Sequence, residues 1–129
     1  MVKELVKNDK QYWEFVRNLR NHPSVKTGFI EQEYIDMFDH ALYMQRLGSS
    51  FYICLVDGEP AGYVGVIKSD IRVATHPNFQ KMGVASFMIN ELMKIHPNSY
   101  AKVNVDNQAS VCLFEKCGFV KKYYILEKQ

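Results

Sequence analysis

The sequence has no long apolar run. No stretch approaches the roughly 20 consecutive apolar residues that a membrane-spanning helix requires. The N-terminal segment MVKELVKNDKQYWEF also lacks the apolar core of a secretory signal peptide. We therefore expect a cytoplasmic protein with no membrane partner.

The sequence also contains few cysteines and carries little net charge. The three cysteines, Cys54, Cys112 and Cys117, form no Cys-x-x-Cys pair and are expected to remain reduced thiols. A net charge of +2 predicts no nucleic-acid partner but is compatible with an anionic ligand. No metal site is predicted. With 47% hydrophobic and 23% charged residues, the composition favours a single globular domain over residues 1–129.

The hydrophobic pattern changes between helix and strand along the chain. After a short strand at KELV, helices are predicted from Asn8 or Asp9 to Arg20 and over residues 32–46. Three strands, SFYICLV, AGYVGVI and IRVAT, then form an antiparallel meander. A helix starting at Gly83, a strand at YAKVNV, a helix ending near Lys116 and a strand at FVKKYYIL complete the chain. The predicted class is α/β (α+β), in the order β-α-α-β-β-β-α-β-α-β.

The segment IRVATHPNFQKMGVASFMINELMK contains a strand, a loop and a helix. The first N–H groups of a helix have no intrahelical partner, and the helix dipole makes that end partly positive. Gly83 leaves room there for a bulky anion, so the segment is typical of a phosphate site. It contains neither the Gly-Lys-Ser/Thr of a P-loop nor the three glycines of a dinucleotide site. The alternative is an ordinary strand-loop-helix joint.

A second segment, VNVDNQASVCLFEKCGF, favours the phosphate site. Together the two segments resemble the GNAT superfamily of acyl-CoA-dependent N-acyltransferases. The motif P-x-(Y/F)-(Q/R)-x-x-G-x-(G/A) is matched by Pro77, Phe79, Gln80, Gly83 and Ala85. The motif N-x-x-(A/S)…(Y/F)-x-K-x-G-F is matched by Asn107, Ser110, Phe114, Lys116, Gly118 and Phe119.

The resemblance implies the GNAT fold, with helices on both faces of a mostly antiparallel sheet, and acetyl-CoA as the acyl donor. Residues 80–86 would hold the pyrophosphate of coenzyme A, and residues 73–75 would pair with its pantetheine arm. Asn107 would contact the arm, cap its helix, or do both. The implied cofactor residues are Val73, Ala74, Thr75, Gln80, Lys81, Met82, Gly83, Val84, Ala85, Ser86, Asn107, Phe114 and Lys116.

The implied reaction is attack of an amine on the thioester. The developing oxyanion needs a donor, the backbone N–H of Val73 or Ala74. The tyrosine that is the general acid in many members is replaced by Phe114, and a phenyl ring cannot donate a proton. Ser110, the final-strand hydroxyl of Tyr123 or Tyr124, or water are the alternatives.

Two residues are candidates for the general base. Asp70 begins the key strand, and His40 lies on the second predicted helix, where a structural role is the alternative. A shift of one residue in register would turn Asp70 to the opposite face of the sheet. His76 is interpreted as a loop residue.

The acceptor is expected to be a small-molecule primary amine. Arg20, His22 and Lys26 predict an anion site for an amino sugar, including a nucleotide-linked one, although a solvated helix end would give the same pattern. A peptide or protein N-terminus, a lysine side chain and a non-catalytic acetyl-CoA-binding module are the alternatives. By family resemblance the chain is expected to be a monomer or a homodimer.

Overall fold

The structure is a computed structural model, and it describes residues 1–26 and 36–129, with Lys26 described in its backbone only. Over these residues the sheet contains four strands in the order β1-β2-β3-β4, each antiparallel to its neighbour. The strands are β1 (Lys3–Lys7), β2 (Phe51–Val56), β3 (Glu59–Ile67) and β4 (Asp70–Thr75). β2, β3 and β4 follow the predicted meander because each is rich in apolar residues and short turns join them.

The helices are α1 (Trp13–Asn21), α2 (Pro23–Lys26), α3 (Met37–Leu47), α4 (Val84–Ile95) and α5 (Gln108–Lys116). Asp36 caps α3, with its carboxylate accepting the N–H of Asp39, so this helix begins later than residue 32. The earlier part of the predicted helix lies outside the described residues. The single turn α2 was not predicted.

Each face of the sheet carries its own apolar core. On one face α4 packs on the strands, and Met88, Ile89 and Leu92 are fully buried. On the other face α1 and α3 pack on the strands, and Val16, Leu19 and Ile53 are fully or almost fully buried. Helices on both faces of an antiparallel sheet are the predicted architecture.

Two of the predicted strands are wrong. Of residues 100–105, Tyr100 forms an isolated bridge with Asp70, and the residues after it are not in a strand. Residues 119–126 are also not in a strand, and Tyr123 and Leu126 are exposed there. A strand needs a neighbour for its backbone hydrogen bonds, and an alternating sequence alone does not supply one. Within the described ranges, no helix is both long and apolar enough to span a bilayer.

Candidate functional site

The site begins where two backbone segments separate. The N–H of Ile71 donates to the carbonyl of Tyr100 at 2.9 Å, and the N–H of Tyr100 donates to Ser69 at 2.9 Å. Beyond this bridge the second segment leaves the sheet, so the outer edge of β4 continues without a neighbouring strand in the described part of the chain. The gap lies between that edge and the residues that lead into α5.

The direction of the backbone groups on β4 follows from the bonds at its two ends. Ile71 points its N–H outward to Tyr100, whereas the N–H of His76 points inward to Ala61 at 2.7 Å. Backbone groups alternate between the two sides of a strand. The N–H and C=O groups of Val73 and Thr75 therefore point outward, and those of Ala74 point toward β3. Of the two predicted oxyanion donors, Val73 is the one whose N–H faces the gap.

The loop after β4 presents backbone donors. In the described residues, the N–H groups of residues 81–86 have no recorded hydrogen-bond acceptor, and no side chain caps α4. Its first turn contains no acidic residue. Unpaired N–H groups in a turn that leads into a helix form a concave site for an anion. This is the arrangement that the Gly83 segment predicts.

The backbone conformation explains the glycine at the start of α4. Gly83 has φ +76, in the left-handed region that side chains disfavour. Lys81 also has a positive φ, +63. A Cβ at Gly83 would meet only the Lys3 ammonium, at 3.8 Å, which is an ordinary contact distance. The loop geometry, rather than lack of space, therefore requires glycine.

The gap and the loop together form an open cavity of about 820 Å³. Twelve of the predicted cofactor and catalytic residues line it: Val73, Ala74, Thr75, Gln80, Lys81, Gly83, Val84, Ala85, Ser86, Asn107, Ser110 and Lys116. Met82 belongs to the loop but does not line the cavity. The structure thus brings most of the predicted cofactor residues to one cavity.

Phe114 is placed differently from its predicted role. Its side chain is 7% exposed, lies in the core on the α4 side, and contacts the ring of Phe119 edge-on at 5.1 Å. It does not line the cavity. Asn107, by contrast, lines the cavity and also caps α5, since its Oδ1 accepts the N–H of Ser110 at 3.1 Å.

The two candidate bases lie away from the cavity wall. Asp70 is three residues before Val73, about 10 Å along the strand. Its Oδ2 lies 3.4 Å from Nε of Arg72, and its buried Oδ1 has no hydrogen-bond partner among the described residues. His40 is 2% exposed, and its Nε2 donates to the carbonyl of Trp13 at 2.8 Å.

The environment of His40 is that of a neutral structural histidine. Burial lowers the pKa of His40 below its ordinary value of 6.5, against the opposing effect of the Trp13 hydrogen bond. Because Nε2 carries the proton, Nδ1 can accept from Nη1 of Arg20, at 3.5 Å. His40 therefore joins α1 to α3.

The two hydroxyl candidates for the acid are far from equivalent. Ser110 lies in the first turn of α5 and lines the cavity. Tyr123 is 84% exposed in the segment after α5, and it is absent from the lining residues. Tyr124 is likewise exposed and absent from the lining, so Ser110 is the predicted acid candidate that lines the cavity.

Arg20 and His22, the two predicted acceptor residues whose side chains are described, contact different neighbours. The guanidinium of Arg20 lies 4.4 Å from the ring centre of Tyr43 and contacts His40, so it packs between α1 and α3. His22 accepts the N–H and the hydroxyl of Ser24 on Nδ1 and lies edge-on to His76 at 6.1 Å. The side chain of Lys26 lies outside the described residues.

The sequence did not identify several residues of the cavity wall. These are Ser24, Val25, Phe79, Asn104, Asp106, Ala109 and Leu113. Asn104 and Asp106 follow the bridge at Tyr100. Their position near the end of the predicted strand over residues 100–105 was the sequence signal that could have indicated them. Ser24 and Val25 come from α2, for which the sequence carried no helical pattern.

Two comparisons by sequence give different results. The sequence model of the acetyltransferase (GNAT) family matches residues 13–119. No curated protein sequence matches the chain significantly.

Solved structures match the fold over nearly the whole chain. A spermidine N-acetyltransferase from Vibrio cholerae, in complex with CoA and spermine, is 19% identical with a TM-score of 0.84; the match covers 98% of this chain and 85% of that one. A domain from Methanocaldococcus jannaschii is 16% identical with a TM-score of 0.80, and the match covers 94% of this chain and 90% of that one. AAC(6')-Iy, in complex with the bisubstrate analog CoA-S-monomethyl-acetylneamine, is 14% identical with a TM-score of 0.74. The match covers 100% of this chain and 98% of that one. The predicted fold class is confirmed.

Proposed function

The chain belongs to the acetyltransferase (GNAT) family, and on that basis we propose that it acetylates a primary amine of a small, positively charged molecule. As a member of this family it is an N-acetyltransferase whose acyl donor is acetyl-CoA. The proposal concerns the residues that hold the donor and the chemical class of the acceptor.

The free edge of β4 beside the unpaired N–H groups of residues 81–86 is the observation that carries the proposal. These donors fit a pyrophosphate, and the outward N–H and C=O groups of Val73 and Thr75 fit an extended amide-containing arm. When bound, acetyl-CoA supplies a thioester that an amine can attack. The Val73 N–H can then donate to the acetyl carbonyl oxygen, where negative charge develops.

Proton transfer is the other task of the chain. An alkyl amine has a pKa near about 10, so it must lose a proton before it attacks. The thiolate of coenzyme A that leaves when the C–S bond breaks needs a proton in return. Ser110 lines the cavity and is the hydroxyl we assign to that donation, directly or through water. We assign the base to no residue, because neither Asp70 nor His40 lines the cavity.

The net charge of the cavity wall does not select the acceptor, because Lys81 and Lys116 line it beside Asp106. Asp106 is the acidic residue among the described residues that line it. Arg20, on which a nucleotide-linked acceptor depended, packs against Tyr43 and His40 instead. The Vibrio cholerae relative was solved with spermine, a cationic amine. The packing of Arg20 and the ligand of this relative are the reasons for which we favour polyamines and unphosphorylated amino sugars over a nucleotide-linked sugar or a protein N-terminus.

An acceptor panel tests the proposal. The protein is incubated with acetyl-CoA and, in turn, spermidine, a polyamino sugar, a nucleotide-linked amino sugar and a peptide with a free N-terminus. Free thiol release is followed, and the products are identified by mass. We expect the first two to be acetylated with the highest kcat/KM. Exclusive acetylation of the peptide or the nucleotide-linked sugar would contradict the proposed acceptor class.

A further inference from the structure

Lys3 reaches the start of α4 from β1, the strand at the opposite edge of the sheet from β4. It lies at the beginning of β1, paired with Val56, and is half-buried. Lys3 and Leu5 are two residues apart and so lie on the same face of the sheet, the face that α4 covers. Its ammonium lies 3.8 Å from the position that a Gly83 Cβ would occupy.

The neighbouring thiol supports this placement. Burial raises the pKa of Cys54 to about 11, and the positive charge of Lys3 acts against that rise. Cys54 is fully buried on the same face. The aliphatic part of Lys3 therefore lies along the apolar surface while its charged end extends to the loop, as long basic side chains commonly do.

The charge at this position lacks compensation within the protein. In the described part of the chain, Lys3 has no ion pair, and the first turn of α4 contains no acidic residue. The start of a helix is itself partly positive, so an ammonium beside it is unfavourable unless an anion lies between them. The unpaired N–H groups of residues 81–86 would likewise be stabilised by an anion at this position.

We propose that Lys3, which does not itself line the cavity, is a further residue of the coenzyme A site and that its ammonium, beside Gly83, pairs with the pyrophosphate. This inference rests on the proposed placement of the donor at residues 81–86. Lys3 is far from both sequence motifs of the family, and only the pairing of β1 with β2 brings it to Gly83. The pyrophosphate is preferred over the 3′-phosphate because the ammonium lies at Gly83, where the loop N–H groups begin the helix.

Lys3→Gln removes the charge, and Lys7→Gln is the matched control. Both residues lie on β1, both substitutions change the net charge equally, and Lys7 is about 14 Å away along the strand. That distance exceeds the screening length of about 10 Å at 0.1 M salt. Binding of acetyl-CoA and of dephospho-CoA, which keeps the pyrophosphate but lacks the 3′-phosphate, is measured by titration calorimetry.

We expect Lys3→Gln to raise the Kd of both ligands by about tenfold, with a smaller effect at high salt. Lys7→Gln should change neither Kd by more than about twofold, and Lys3→Arg should retain most of the affinity. Equal Kd values for Lys3→Gln and wild type would overturn the inference, as would a loss confined to acetyl-CoA. Absence of binding by the wild-type protein would overturn the proposed donor site itself. Thermal unfolding of each variant verifies that it is folded.

Discussion

Ile71 and Tyr100 are joined by a backbone hydrogen bond of 2.9 Å, and the chain segments that contain them separate beyond it. This single bridge fixes where the edge of β4 becomes free. It also determines that Val73 and Thr75 present their backbone groups outward, because the direction alternates along a strand. The cavity is thus a consequence of a strand pairing that stops after one residue.

Substitution of Val73 by proline tests the direction of its N–H. Proline removes a donor, and it is tolerated in an edge strand where that donor points away from the sheet. We expect Val73→Pro to remain folded and to lower kcat by about 100-fold or more. Ala74→Pro is the matched control, and it should unfold the protein because its N–H points to β3. Wild-type kcat in folded Val73→Pro would show that this N–H is not the donor.

Gly83 and Gly118 allow a comparison of conformation with function. Both have a positive φ, +76 and +93, so alanine at either position should cost about 1–2 kcal/mol of stability. Only Gly83 lines the cavity, so only Gly83→Ala is expected to weaken acetyl-CoA binding, by about tenfold. Urea unfolding and calorimetry measure the two effects. Equal Kd values of the two variants for acetyl-CoA would show that Gly83 is not part of the acetyl-CoA site.

Ser110 and Tyr123 are the two hydroxyl candidates for the acid. Ser110→Ala and Tyr123→Phe each remove one hydroxyl, one at the cavity wall and the other at an exposed side chain. We expect Ser110→Ala to lower kcat by about tenfold to 100-fold with little change in the Kd of acetyl-CoA. Tyr123→Phe should leave kcat unchanged. A large loss in Tyr123→Phe alone would reverse the assignment.

The pH dependence of stability tests the role of His40. Its pKa is lowered in the folded protein, mainly by burial, so the unfolded chain binds more protons below its ordinary value of 6.5. The stabilising contribution is therefore present above that pH and is lost as the pH falls toward the lower folded pKa.

His40→Gln should flatten the decline in the free energy of unfolding as the pH falls below 6.5, while acetyl transfer at about pH 8 persists. His96→Gln, at an exposed histidine, is the matched control for the substitution itself. Urea unfolding at a series of pH values provides the measurement. Loss of turnover in a folded His40→Gln protein would instead support the catalytic role.

The sequence correctly predicted features that are determined by residues close together in the chain, such as the starts of helices. Gly83 before α4 and Asn107 before α5 were predicted because helix termini have strong residue preferences. The strand over residues 100–105 was wrong, because alternation does not reveal that the partner strand diverges. That divergence is where the cavity forms.

Contacts between distant segments could not be read from spacing. Arg20 was predicted to face an acceptor, yet it packs against Tyr43 from another helix. Phe114 occupies a motif position, but its ring is in the core against Phe119. The position of Asp106 at the cavity depends on the path of the chain after Tyr100. The position of Lys3 near Gly83 depends on the pairing of β1 with β2.

The central claim is that the free edge of β4 and the loop at Gly83 hold acetyl-CoA. The most direct test is the midpoint of thermal unfolding with and without acetyl-CoA at about 100 times its Kd, which should add about 2.7 kcal/mol. The midpoint should therefore rise by several degrees, and Gly83→Ala should require more ligand for the same rise while Gly118→Ala should not. An unchanged midpoint for the folded wild-type protein would contradict the account.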